Sequence, residues 1–296
     1  MPYAGELSAL ITAIMWTGSA LAFAAATTRV GSVYVNVVRL LAAVILLFVT
    51  IVVGNMRDDI STIQAGYLVV SGLVGFVFGD TFLFKSFEYN SARIGMLIMS
   101  VAPAVAALLA FIFLGETLTS MGMVGMTVTL TGIMLVILER KEASTHYLPV
   151  SMAGVFYAFL GALGQAGGLV LAKFAFVIGP MNGFIATFIR AFAATLVLIP
   201  LNYFTRRLRQ PAAVFSNNPK ALAFTLLGAF LGPYLGVTFS LIAISMTNVA
   251  IAATIMSIVP ILMLPTVWIL FHERLSWRAI VGACVAVAGV GILFLR

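Results

Sequence analysis

Apolar residues in this chain come in runs of about twenty, broken by short polar connections. A bilayer core of about 30 Å takes about 20 apolar residues as a helix. With that ruler the pattern predicts ten spans: 5–26, 32–54, 65–87, 91–114, 120–138, 151–172, 181–204, 221–243, 248–271 and 277–295. None of the runs shows the alternation of a barrel strand. The predicted fold is therefore an all-α integral membrane protein with ten transmembrane helices. The longest connections, 139–149 and 205–220, leave no room for a soluble domain.

The runs repeat. The stretch "MSVAPAVAALLAFIFLGETLT" (99–119) returns 157 residues later as "MSIVPILMLPTVWILFHERLS" (256–276). At the same spacing Gly75, Gly79, Thr81 and Phe82 fall on Gly232, Gly236, Thr238 and Phe239, and Gly125 and Gly132 on Gly282 and Gly289. Arg39 aligns with Arg190 at 151 and Gly5 with Gly154 at 149, because the connection after the seventh span is longer than that after the second. The expected organisation is one integrated membrane domain: a five-helix repeat over 1–138, a connecting loop at 139–150 and a second repeat over 151–296. Five is odd, so the second unit starts on the opposite face and the two repeats are inverted. Many secondary transporters share this plan, since inverted halves can exchange roles between inward-open and outward-open states. Duplication for stability alone, as in a channel or scaffold, is the alternative.

Composition agrees with a lipid solvent. The chain is 62% hydrophobic and 8% charged, with a mean hydropathy of +1.17, against about a quarter charged in a soluble domain. The net charge of +7 does not point to nucleic acid, which needs a basic face on a soluble fold. Eleven of the sixteen Lys and Arg fall on one predicted face, Arg29, Arg206, Arg207 and Lys220 among them, and three on the other. The positive-inside rule then puts both termini on the extracytoplasmic side of a cell inner (plasma) membrane. The start of the chain has neither a basic region nor a small-residue cleavage site, so the first run is expected to be a retained span.

Chemistry-bearing clusters are sparse. The single Cys284 offers no intrachain disulfide and no cysteine-built metal site. No His or carboxylate cluster and no nucleotide-binding motif appears, so no metal, cofactor or direct use of ATP is expected. A proton or substrate gradient remains as the energy source. A membrane aspartyl protease would need a second intramembrane aspartate beside Asp80, and His146 and His272 lie in or beside connections, so an enzyme is not expected. A channel would show a filter or a ring of charges, and nothing repeats that way.

The paired signature is Pro103 followed by "FLGETLT", with "FHERLS" in the matching place, plus "VVRLLAAV" around Arg39 and "FIRAFAATLV" around Arg190. It resembles the drug/metabolite transporter superfamily, specifically its ten-helix EamA-like branch, over essentially the whole chain. The resemblance implies transport of small metabolites, often export, with amino acids, purines and drugs among the substrates. One departure is "GNMRDDIST" after the second span, weakly acidic where a basic connection in relatives implies cytoplasmic termini. It leaves the direction of transport open.

Charges inside a span are functional hypotheses by default. Arg39 and Asp80 sit at matching depth, so an ion pair is expected, either locking the second and third helices together or letting Asp80 take up a proton for coupling. Arg190 has Val237 in the place of Asp80, which leaves its fork of donors for a substrate carboxylate or phosphate, for carbonyls of a broken helix, or for snorkelling. Further substrate-binding candidates, with Asp80 itself, are Trp16, Tyr157, Gln165, Asn182 and Tyr234, together with Met99 and Met256 one turn before the prolines. Trp16 and Gln165 align across the repeat. Pro103 and Pro260 are predicted to kink their helices mid-span and act as hinges. Glu116 and Glu273 are predicted to fix tight hairpins and meet the positive end of the helix that follows. The expected activity is secondary transport, with export the expected direction and amino acids (aromatic ones included) the expected cargo ahead of purines or cationic drugs. The expected partners are a small-molecule substrate and the lipid bilayer, with monomer and homodimer both open.

Overall fold

The computed structural model describes residues 3–89, 95, 98–138, 151–208, 211–263 and 277–295. The predicted connecting loop 139–150 and the predicted turn residue Glu273 lie outside the described residues. Among the described residues every regular element is helical. In chain order these are α1 (Ala4–Val30), α2 (Ser32–Val53), α3 (Thr62–Gly72), a π-helical segment Leu73–Gly79, α4 (Asp80–Tyr89), α5 (Ala102–Leu114), α6 (Ser120–Leu138), α7 (Met152–Ile178) and α8 (Gly183–Phe204). There follow α9 (Pro211–Ser216), α10 (Pro219–Ala229), a second π-helical segment Phe230–Gly236, α11 (Val237–Met246), α12 (Val249–Met256) and α13 (Trp277–Phe294). Among the described residues six helices are long and apolar enough to cross a membrane: α1, α2, the composite Thr62–Ser86, α7, α8 and the composite Pro219–Met246. Shorter apolar helices occupy the other predicted stretches.

Local chemistry sets the ends. Ser61 and Gln64 form a reciprocal capping box at the start of α3. Ser151, Asn182 and Asn218 cap α7, α8 and α10 through their side-chain oxygens, satisfying amides that a first helical turn leaves free. Gly115 ends α5 at φ 66°, and Gly31 separates α1 from α2 at φ 86°, a backbone region that costs a side chain with a Cβ.

The prolines behave differently from the predicted mid-helix kink. Residues 98–99 are helical, Ser100 and Val101 form a turn, and α5 starts afresh at Ala102 with Pro103 in its first turn. In the same way α12 stops at Met256, a turn covers 257–258, and helix resumes from 259 with Pro260 as its second residue. Proline is tolerated in a first turn because its missing N–H has no intrahelical partner there. Both stretches are thus broken helices rather than bent ones.

The two π segments lie 157 residues apart at both ends. A π turn adds a residue and changes the facing of everything after it; the first segment packs on α7 and the second on α1. Gly75 and Gly79 lie on Gly168 and Gly164 of α7: a Cβ on Gly164 would come 2.5 Å from the Cα of Gly79. Gly228, Gly232 and Gly236 lie on Phe23, Ser19 and Trp16 of α1, where a Cβ would come within 2.4–2.6 Å of these side chains. Ser19 Oγ donates to the Gly228 carbonyl at 3.2 Å, and Ser71 Oγ donates to the Gly168 carbonyl. These two contacts correspond across the repeat with donor and acceptor exchanged. Helices α6 and α13 pack on each other antiparallel, Gly125 against Gly289 and Gly132 against Gly282 and Ala286. Small residues of this kind let backbones approach where lipid provides no hydrophobic drive. The alanine-rich buried set (Ala9, Ala13, Ala162, Ala166, Ala172 and Ala194 are all 0% exposed) follows the same logic.

Candidate functional site

A cavity of about 960 Å³ is bordered by α1, α2, both π segments, α5, α7, α8 and α12. That is at the upper end of the range of small-ligand sites, about 300–1,000 Å³. Its walls are mainly apolar and aromatic, with Trp16, Phe23, Phe76 and Phe84 contributing rings. Polar groups come from Arg39, Asp80, Gln165, Arg190, Ser240 and Ser257. The lining continues to Gly31, Ser32 and Arg207, and Gly31 and Arg207 are exposed. The cavity therefore opens at the end of the molecule where α1 and α8 finish and α2 begins.

Arg39 and Asp80 form a buried ion pair, their side chains 8% and 16% exposed. Asp80 is the first residue after the Leu73–Gly79 π segment, and its Oδ2 accepts from Arg39 NH2. Arg39 Nε donates to Asn36 Oδ1 at 2.9 Å, and the guanidinium lies between the rings of Phe23 and Phe84 at 5.3 and 5.0 Å. Asp80, Asn36 and two aromatic rings thus share its charge.

Arg190 is placed otherwise. It is 4% exposed, sits over the Phe76 ring at 5.2 Å, and its Nε and NH1 have no hydrogen-bond partner among the described residues. Its NH2 lies against Gly75, where a Cβ would be 3.2 Å away. The close approach of α3 to α8 that permits this depends on Gly72, since a Cβ there would be 2.3 Å from the Arg190 carbonyl oxygen.

At the opposite end a polar network ties the helices together. Lys173 Nζ lies 3.7 Å from Glu116 Oε1 and donates to the carbonyls of Ile244 and, at 3.1 Å, Thr247. Glu116 Oε2 accepts from the Val249 amide at 2.8 Å, and Thr247 Oγ1 donates to Glu6 Oε1 at 3.2 Å. The network joins α1, α5, α7, α11 and α12. Glu116 was expected to meet the positive end of the next helix, α6; it instead satisfies the first turn of α12, 133 residues away.

Trp16, Arg39, Asp80, Met99, Pro103, Gln165, Arg190, Met256 and Pro260 line the cavity. Three other candidates stand elsewhere. Tyr157 stacks on Phe82 beneath the Lys85 ammonium. Asn182 caps α8 and its amide donates to Asp58. The hydroxyl of Tyr234 lies 2.8 Å from Thr50 Oγ1. Sequence reasoning passed over Phe23, Phe76 and Phe84, whose signal was only their spacing to the span charges, and over Lys173, which it placed in a connection.

A family model described as the EamA-like transporter family matches residues 3–138 and 152–295. The uncharacterized transporter YxxF of Bacillus subtilis (strain 168) is 27% identical over 150 residues, 51% of this chain and 44% of that protein. The uncharacterized transporter YyaM of the same organism is 27% identical over 133 residues, 43% of each chain. The chain thus spans under half the length of these relatives. A solved crystal structure superposes with a TM-score of 0.75 at 17% identity, covering 98% of this chain and 95% of that one; this is a likeness of fold.

Proposed function

The chain belongs to the EamA-like transporter family, within the drug/metabolite transporter superfamily, and from that premise we propose a secondary carrier of small organic metabolites working by alternating access between two inverted halves. The observation that carries this reading is the cavity, bordered by both halves, open at one end and sealed at the other. Inversion is supported by the antiparallel packing of α6 on α13, which are repeat-equivalents. The reciprocal serine bonds support it as well. Two such halves can trade the open and sealed roles at similar energy.

The open end carries the arginine-rich connections, including Arg29, Arg206 and Arg207, so the positive-inside rule makes this the inward-facing state with both termini extracytoplasmic. Amino acids, aromatic ones included, are the favoured cargo, because the cavity joins rings to a few placed charges. Export driven by a proton or substrate gradient is the favoured direction. The test is counterflow: purified protein in proteoliposomes preloaded with unlabelled amino acid, with labelled amino acid outside. Saturable accumulation supports a carrier. Non-saturable flux would identify a channel, and exchange of purines or cationic drugs alone would replace the cargo while leaving the carrier.

A further inference from the structure

We infer that Arg190 is the carboxylate subsite of the cavity, and that the cargo supplies the acid which the second half lacks. This rests on the carrier reading above and names the charge its cargo must bring. Asp80 is the first residue after the Leu73–Gly79 π segment, and Val237 is the first after Phe230–Gly236. Arg39 and Arg190 are the matching arginines. The first half therefore holds its own acid and the second holds a valine at the same place, 7% exposed and on the cavity wall.

The consequence is a cluster one negative charge short. Arg39 and Asp80 neutralise each other, and Asp80 also lies within electrostatic reach of Arg190. Two guanidinium groups and one carboxylate leave a charge of +1 in an apolar enclosure. A buried charge without a partner is costly. Phe76 covers one flank of Arg190, while Nε and NH1 stand unpartnered among the described residues. A planar fork of donors matches a carboxylate. A simple monocarboxylate brings the cluster to neutrality, and a zwitterion pairs its carboxylate with Arg190 while its own ammonium leaves the total at +1. A cationic cargo raises its charge to +2, so the same cluster selects against cationic drugs. Snorkelling does not relieve the charge, because the side chain is held under Phe76 and against Gly75 with 4% exposure.

The test keeps the cargo tail constant and changes only its head. Binding to the full-length protein is read as the rise in its unfolding midpoint and as competition in counterflow. The probes are 3-phenylpropionate, L-phenylalanine, L-phenylalanine amide and phenethylamine, with hexanoate, hexylamine and adenine beside them. At least one acid is expected to bind, with its amide or amine partner about a hundredfold weaker. Arg190→Gln is expected to bring the acids down to the level of the amines. Arg190→Lys keeps the charge without the fork and is expected to lose about tenfold. The wild-type comparison needs no variant, so it decides the matter even if Arg190→Gln fails to fold. An amine or adenine that binds while all three carboxylates fail overturns the inference and leaves the carrier standing. Undiminished acid binding by Arg190→Gln overturns it too. If no probe binds or exchanges at all, the carrier reading falls with it.

Discussion

Gly132 of α6 lies so close to α13 that a Cβ on it would come 2.3 Å from the amide nitrogen of Ala286. That contact joins two repeat-equivalent helices at their crossing. Gly132→Ala should force α6 and α13 apart and lower thermal stability in detergent by about 1–3 kcal/mol. Gly291, on the same helix pair, has nothing within 4 Å of its would-be Cβ, so Gly291→Ala should be neutral or stabilising by up to about 1 kcal/mol. Equal effects at the two positions would refute the packing argument.

The Arg39–Asp80 pair makes a prediction of sign as well as size. Removing one partner leaves the other buried and alone, so Asp80→Leu and Arg39→Met should each cost about 3–5 kcal/mol. The double variant should recover most of that loss, because an apolar pair of similar volume has no stranded charge. Additive losses in a double-mutant cycle would show that the two side chains act separately.

The network at the sealed end should govern access. In a Cys284→Ser background, Ser240→Cys places a thiol on the cavity wall. A membrane-impermeant maleimide should label it quickly from the open end and slowly from the other. Lys173→Met removes the donor that ties α7 to α5 and α11. Hydrogen bonds to charged groups contribute about 1.5–3 kcal/mol, so labelling from the sealed end should rise by roughly tenfold or more. No change in that rate would mean the seal is held by apolar packing alone.

Val237→Asp should give the second half the acid it lacks. The expected protein folds, because a buried arginine gains a partner, and binds carboxylate cargo about a hundredfold less well. Val237→Asn has a similar side-chain size without the charge and should keep binding. Titration calorimetry on the two variants separates charge from shape.

Much of the candidate site was legible before the structure because charge inside an apolar run is conspicuous. Arg39, Asp80 and Arg190 could be named from composition and repeat alignment, and the ion pair of the first two followed from matching depth. Trp16, Gln165, Met99 and Met256 were placed by the repeat, and all four border the cavity. Aromatic character alone was a poorer guide: Tyr157 stacks on Phe82 and Tyr234 meets Thr50, outside the cavity lining. A tyrosine in a span has several ways to satisfy its hydroxyl, and periodicity does not say which neighbour will do it.

By itself, then, the chain's pattern determined that it is helical and solvated by lipid. In hydrocarbon each backbone amide must find its partner within the segment, so twenty-residue apolar runs leave the helix as the answer. The caps are local in the same way, since Ser61, Ser151, Asn182 and Asn218 act on residues at most three places away, although the sequence alone makes Asn182 a substrate-binding candidate. Only the tertiary structure decided the pairings. Glu116 reaches α12 instead of α6, the prolines restart helices instead of bending them, and Arg190 ends under Phe76 with donors unspent. Periodicity tells which face of a helix is inward; which helix meets that face depends on distances between segments more than a hundred residues apart, such as the 133 from Glu116 to Val249.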